Sequence, residues 1–418
     1  MLTRFCLYGF LKNQQYFEPF LVLVFLEKGL AFFQIGLLVA CRELTINLFE
    51  ILSGALADVW GRRRAMILSF CAYISSFVIF ALAKNLALLF LAMFMFGIGD
   101  AFRTGTHKAI IFSWLRAQNR LDERTRVYGL TRSWSKIGSA VSVVLAAVFV
   151  IASDSYVIVF WLAIIPYLAN IINFLGYPGE LDRERGGDYP APRVRAHLRD
   201  AIANTLGRAG LRRLVFESMG FEGVFKAAKD YLQPVLEAAA LAAGAWLALG
   251  SGLAHKQRVA LLVGPVYFAL YLASAFASRK AHRFAGWAGS EDRAARTLWG
   301  FFFVCFAGLL PCALLGFETG MIIFFTLLFV LQNLWRPILI SRFYERCPES
   351  QAATVLSIES QAKTLSTMIL APVMGALVDL VRAHGAGGAY WPVGAIGVAV
   401  ALVFLLVPRV RERRIERV

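Results

Sequence analysis

The residues best placed to do chemistry are charged side chains inside apolar runs. The stretch "GVFKAAKDYLQPVLEAAALAA", residues 223–243, has the length of a membrane span, yet Lys226, Lys229 and Asp230 occupy its first half. A charge at bilayer depth costs roughly 2.5–3.5 kcal/mol on insertion scales, so such residues pair, bind or move protons. Others recur along the chain: Glu18; Arg42, Glu43 and Glu50; Asp100, Arg103, His107 and Lys108; Arg132 and Lys136; Glu222; Arg336; Glu359 and Lys363. This inventory suits the binding of a polar solute and the carriage of a proton. No HExxH, Walker loop, GxSxG or paired metal-ligand spacing is present, so the expectation is no enzyme, no cofactor, no metal and no self-contained ATP-driven pump.

The elements that must position these residues are helices. Of 418 residues 59% are apolar, against about 45–50% in soluble proteins. Twelve apolar runs are long enough to cross a hydrocarbon core: 3–26, 31–55, 65–83, 86–112, 129–152, 156–176, 214–240, 257–279, 297–316, 319–341, 354–380 and 390–408. A β-barrel would instead alternate polarity in segments of about ten residues. No cleavable signal peptide is expected. The six cysteines form no CxxC pair and read as small buried hydrophobes.

The net charge of +16 raises nucleic acid as a partner, but its placement points to a bilayer. Arg62–Arg64 follow segment 2, Arg116, Arg120, Arg124 and Arg126 follow segment 4, and a basic stretch from Arg183 to Arg213 follows segment 6. Arg279, Lys280, Arg283, Arg293 and Arg296 follow segment 8, and the tail from Arg409 is basic. The opposite loops are nearly free of positive charge. Positive charge marks the cytoplasmic side, so both termini are expected there, in a multi-pass protein of the cytoplasmic (inner or plasma) membrane with no nucleic-acid partner.

The charged, Pro/Gly-rich connection 177–213 divides the segments six and six: a bundle over 1–176 and a second over 214–418 with its tail. "YFEPFL" (16–21) echoes "YLQPVL" (231–236), and segments 5 and 11 share a Ser-x-x-Lys at Ser133/Lys136 and Ser360/Lys363. Such symmetry is expected of repeat-built transporters. Segments 3, 6, 9 and 12 carry no charge and are expected to face lipid; the charged helices enclose a polar interior. At 100° per residue, Glu222, Lys226, Lys229, Asp230 and Gln233 share one stripe, and Asp100, Arg103, Thr104, His107 and Lys108 another. Two readings stay open for the i,i+4 pairs Glu222/Lys226, Lys226/Asp230 and Glu359/Lys363: mutual neutralisation, or cavity lining. His107 also fits a structural role, Arg132 a snorkelling one, and Lys12 lies off the face of Glu18.

The segment "GALADVWGRRR" (54–64) resembles the loop motif after helix 2 of the major facilitator superfamily, in Gly54, Leu56, Asp58, Gly61, Arg62, Arg63 and Arg64. Small Gly54 would permit close helix approach, and Gly61 a sharp turn. "FGIGDAFRTGTHKAIIFSWL" (96–115) looks like family helix 4, whose glycines let neighbours approach. Here Arg103 follows the glycines, where many members place an Arg before them. Segment 5 lacks the Gly-Pro-x-x-Gly-Gly element of many antiporters. The resemblance implies an all-α membrane protein of twelve helices in two pseudo-symmetric six-helix bundles, with the 54–64 loop as a cytoplasmic gate latched through Asp58.

The expected activity is secondary active transport of a small organic solute, with an anionic group favoured because cations outnumber acids, by alternating access and with a coupling proton. A membrane receptor or scaffold that binds without translocating is the alternative. The expected site comprises Glu18, Asp100, Arg103, His107, Lys108, Lys226, Lys229, Asp230, Gln233, Arg336, Glu359 and Lys363. A carboxylate in a poorly hydrated cavity can load and release a proton near neutral pH; Glu18, with no i±4 cation, is the expected carrier. The protein is expected to act as a monomer in the lipid bilayer.

Overall fold

The structure, a computed structural model, describes residues 1–104, 106–120, 123–179, 207–244, 252–347, 352–385 and 388–407, without the side chains of Ile51, Ala55, Asp58, Val59, Arg124, Thr125, Ala243, Ala352 and Ala353. The arginine-rich tail from Arg409, the side chain of Asp58 and most of the 177–213 connection therefore lie outside the described residues.

All regular structure among the described residues is helical. The helices are α1 (Leu2–Lys12), α2 (Leu21–Glu27), α3 (Phe32–Trp60), α4 (Arg62–Leu82), α5 (Leu86–Arg103), α6 (Thr106–Ala117), α7 (Arg124–Ser153) and α8 (Ile158–Leu175). They continue as α9 (Ala209–Ser218), α10 (Val224–Ala228), α11 (Leu232–Gly244), α12 (His255–Trp287), α13 (Glu291–Leu314), α14 (Glu318–Arg346), α15 (Ala352–Ala383) and α16 (Trp391–Leu406). Nine helical stretches among the described residues are long and apolar enough to cross a bilayer. The expected segments 1 and 7 are assembled from shorter pieces, and segment 12 is the 16-residue α16.

Three segments differ from the uninterrupted helices expected, each for a local reason. Segment 1 breaks after Lys12: the Asn13 side chain donates to the Gly9 carbonyl at 2.6 Å, and the Asn13 and Gln14 N–H groups fold back onto Phe10 and Leu11. Segment 4 breaks at Thr104, whose backbone is extended at ψ 126°, and resumes at Thr106. Segment 7 passes through a π-helical turn at Met219–Gly223 and a 3₁₀ turn at Lys229–Tyr231. Pro234, lacking an N–H for the carbonyl of residue 230, accounts for the second irregularity. A single 100° stripe over 222–233 therefore does not hold. Helices also outrun their apolar runs: Arg279, Lys280 and Arg283 ride the last turns of α12 rather than a loop.

The chain packs as two compact units. The first comprises Met1–Leu30, Cys41–Gly187 and Leu236–Tyr271; the second Ala31–Ala40, Asp188–Val235 and Leu272–Val418. In the first, aromatic rings of α4 form the core: Tyr73 meets Phe96 at 5.1 Å, Phe77 meets Tyr167 at 4.9 Å, and Phe80 meets Phe160 at 5.1 Å. Segment 3, expected to face lipid because it lacks charge, is thus among the most enclosed; half of its best apolar window is buried, against a third for charged α7. Absence of charge permits lipid contact without requiring it. Glycines allow the closest crossings. A Cβ on Gly9 would lie 2.7 Å from the Thr131 carbonyl, one on Gly97 2.7 Å from the Thr45 Cβ, and one on Gly99 2.9 Å from the Tyr73 ring. Gly54 corrects its expectation: a Cβ there meets nothing within 4 Å among the described residues.

In the second unit Phe221 stacks on Trp335 at 4.3 Å, and the crossing of segments 7 and 11 is again opened by glycine, Gly223 against Ser366. The first turn of α3 also packs here. Its backbone N–H groups at Phe32 and Phe33 donate to the two carboxylate oxygens of Asp379, at 3.0 and 2.7 Å, and the Arg382 guanidinium lies 4.6 Å from the Phe32 ring centre. Asp379, far along the chain, thus caps this turn together with the local Gln34, whose Oε1 accepts from the Ala31 N–H at 3.0 Å. Removing a capping side chain costs about 0.5–2 kcal/mol. Asp379→Ala is expected to lower the thermal unfolding midpoint of the detergent-solubilised protein, whereas Asp379→Asn, which keeps one acceptor, lowers it less; equal midpoints for Asp379→Ala and the parent would refute the capping role.

Candidate functional site

In the first unit the charges converge on Asp100, near the C-terminal end of α5. It accepts from Arg42 Nε at 3.0 Å and Nη2 at 2.7 Å, from Arg103 Nη2 at 2.9 Å and from the Tyr73 hydroxyl at 2.5 Å. Arg103 Nε also donates to the Tyr73 oxygen at 2.9 Å. Asp100 is 6% exposed. A buried carboxylate is stable when every lone pair is answered, and here two guanidinium groups and a phenol answer them. Of these partners only Arg103 belongs to the expected site. Arg42 was visible as an intramembrane charge on α3. Tyr73 gave no signal, because a hydroxyl hardly alters the apolar character of its helix.

Beside this cluster lies a cavity of about 360 Å³. Its polar walls include Lys12, His107, Arg132, Ser135, Lys136 and Ser139. The His107 ring stacks on Tyr8 at 3.7 Å, and its Nε2 has no hydrogen-bond partner among the described residues. Lys12 sits 5.7 Å from the Tyr8 ring centre. None of the Lys12, Arg132 and Lys136 side chains makes an ion pair or hydrogen bond among the described residues, and no acidic side chain lines the cavity. Lys12, expected off the face of Glu18, lines this space from α1 one turn after Tyr8, and Arg132, expected to snorkel, lines it from α7; the chain leaves the helix in a turn after Lys12. Glu18 falls in that turn and accepts from the Tyr271 hydroxyl at 2.6 Å. Lys108 is exposed, 5.6 and 5.8 Å from the Phe112 and Tyr128 ring centres, and the break at Thr104 separates it from the Asp100 group.

The second unit holds a matching cluster. Arg336 forks onto Glu359 at 2.6 and 3.0 Å and reaches Glu222 at 3.2 Å. Lys363 lies 3.4 Å from Glu222 and 3.8 Å from Glu359, and the Ser218 hydroxyl donates to Glu359. Glu359 is fully buried. The expected Glu359/Lys363 pair is present, while Glu222 finds cations on two other helices. Asp230 pairs with adjacent Lys229 at 3.0 Å; Gln233 is buried and Lys226 half-buried. A second network escaped the sequence reading. Arg342 bridges Glu217 at 2.6 Å and Asp292 at 2.8 Å, with Arg213 on Glu217 at 2.9 Å and Arg346 on Asp292 at 2.6 Å. Its members sit at helix ends, where charge carries little signal of pairing.

At the 54–64 motif, Gly61 adopts φ +106°, a conformation that favours glycine. Arg62 is buried and donates to the Ser113 hydroxyl at 2.6 Å, Arg63 donates to the Tyr177 carbonyl at 3.0 Å, and Arg64 is exposed. Outside the spans, Arg120 hydrogen-bonds Glu123 at 2.7 and 2.9 Å and holds that carboxyl below its ordinary range.

Breaking a buried ion pair from one side costs about 3–5 kcal/mol, whereas replacing both members by apolar groups is often neutral. Arg336→Met is therefore expected to destabilise the protein strongly, and Arg336→Met/Glu359→Leu to recover much of that loss. Thermal unfolding of the three proteins checks it; a double variant no more stable than the single one would show that the pairing does not set the cost.

Residues 2–361 match the family model of the Major Facilitator Superfamily. A Bacillus subtilis (strain 168) protein described as an uncharacterized MFS-type transporter, YxaM, is 31% identical over 90 residues, 22% of this chain and 23% of that one; the match takes in less than a quarter of that relative's length. Among solved structures, the nucleoside transporter NupG superposes with a TM-score of 0.71 at 12% identity over 97% of this chain and 96% of its own. A POT family transporter in complex with a thioalcohol-conjugated peptide gives 0.67 at 14% identity over 97% and 95%. An inward-facing, unoccupied bacterial homolog of the human lysosomal transporter Spinster gives 0.63 at 15% identity over 97% and 93%. At these identities the structural likeness is one of fold. The family match spans most of the sequence and the twelve-segment architecture agrees with it: the chain belongs to the Major Facilitator Superfamily, as a multi-pass membrane protein.

Proposed function

We propose that this protein is a secondary active transporter that moves a small organic anion by alternating access, driven by protons, with the bundles 1–176 and 214–418 as its moving bodies. The observation that carries the reading is the cavity of about 360 Å³ whose cations, Lys12, Arg132 and Lys136, make no ion pair among the described residues, with Asp100 and Glu18 acting on Lys12 and Lys136 only from beyond ion-pair distance. Like charges around one space repel until an anion enters. Ser135, Ser139 and His107 add neutral hydrogen-bonding groups that orient a ligand. The volume lies at the small end of ligand pockets, about 300–1,000 Å³. Asp100 with Arg103, and Glu222, Arg336, Glu359 and Lys363, are proposed as charge groups that rearrange between states. Each is a network with alternative partners in reach. The arginine-bearing helix ends face the cytoplasm in this reading.

Uptake into proteoliposomes from a panel of small carboxylates, phosphates, cations and neutral solutes tests the substrate class. A charge-assisted contact contributes about 1.5–3 kcal/mol, so Lys12→Gln and Lys136→Gln should each weaken half-saturation by about tenfold or more. Transport of cations alone, with both variants behaving as the parent, would refute the anion reading.

Coupling is assigned to Glu18, held by Tyr271 in the turn beside the first span. An imposed inward proton gradient should drive accumulation by the parent. Glu18→Gln should lose that accumulation yet still exchange internal for external solute. An undiminished response to the gradient in Glu18→Gln would exclude Glu18 as the carrier.

A further inference from the structure

Two adjoining cavities mark the second unit where α9 begins and α16 ends. One, of about 230 Å³, is lined by Arg213, Glu217, Arg296 and Trp299 among others; the second, of about 340 Å³, by Arg212, Phe216 and Val403 among others. They share Arg213, Phe404 and Val407 as a common wall. The first is charged and the second almost wholly apolar apart from the arginine stems. Neither belongs to the clusters assigned to transport.

The charge in the first chamber is unbalanced. Its one carboxylate, Glu217, is already answered by Arg213 at 2.9 Å and by Arg342 at 2.6 Å. Arg213 is further held by the Val407 carbonyl at 3.3 Å, which fixes the wall between the chambers. Arg296 is exposed and makes no ion pair or hydrogen bond among the described residues. Phe216 and Val403 are about half exposed, at 49% and 55%, on helices that end at the same level. A ligand that satisfies both chambers carries a negative head and an apolar tail. Inorganic phosphate gains nothing from Phe216, Val403 and Phe404.

We propose that this double chamber is a binding site for an anionic phospholipid, with its phosphate at Arg213 and Arg296 and its first methylenes along Phe216, Val403 and Phe404. A bound lipid would join α9, α13 and α16 at the bilayer surface, and juxtamembrane arginines attract anionic headgroups.

The test uses the purified full-length protein in detergent with added phosphatidylglycerol or phosphatidylcholine, read by native mass spectrometry as lipids retained and by thermal unfolding. Phosphatidylglycerol should be retained preferentially and should raise the midpoint. Arg296→Gln, a change at an exposed and unpaired side chain, should reduce the preference by about fivefold, as expected per arginine. Phe216→Asp should reduce it through the apolar chamber. Arg279→Gln/Arg283→Gln, at another basic helix end, should leave it intact. The proposal falls if Arg296→Gln keeps the parent's preference, if the Arg279→Gln/Arg283→Gln control loses it equally, or if sodium phosphate alone reproduces the stabilisation.

Discussion

Burial of charge where water cannot reach governs this structure. An ion in a low-dielectric interior must be paired and hydrogen-bonded or it will not stay charged. Asp100 meets that condition with two guanidinium groups and a phenol, Glu359 with an arginine fork, a lysine and a serine. Each arrangement gathers side chains from several helices. The clusters thus act as cross-links whose geometry the helices must respect, and they explain why charge was retained in membrane-length segments at all.

Irregular backbone is the counterpart of that constraint. The turn after Lys12, the break at Thr104 and the π turn at Met219–Gly223 all lie beside charged groups. Backbone that leaves the helix at membrane depth is tolerated where protein or a water-filled cavity satisfies it. The turn carries Glu18, which meets Tyr271; the π turn includes Glu222 itself. Glycine serves the same end by allowing segments 1 and 5, and segments 7 and 11, to cross closely in their respective units. Each half of the chain holds a closed ion cluster, around Asp100 in one and around Glu359 in the other, and the first also holds a cavity lined by cations.

Intramembrane pairing within this family fold also separates stability from binding. The Glu222–Arg336–Glu359–Lys363 group is internally neutral, two acids against two cations. Lys12, Arg132 and Lys136 are not neutralised by close acids among the described residues. In the proposed reading a solute is drawn to the second kind of site, whereas the first joins helices of one unit.

The class of protein is legible in the order of its residues. Apolar runs of membrane length, arginines on alternate loops and the 54–64 motif identify a multi-pass helical protein of this family, because hydropathy and loop charge are local properties that the bilayer reads directly. That order also marked Asp100, Arg103, Arg336, Glu359 and Lys363 as residues that need partners. Only the tertiary structure decided which partners they have. Arg42 and Tyr73 reach Asp100 from two other helices, Asp379 caps a helix more than three hundred residues away, and Glu18 meets Tyr271 through a turn that a regular helix would not make. Pairing is set by distance in space and by backbone irregularity; helical periodicity carries neither, so those facts became visible only once the helices were packed.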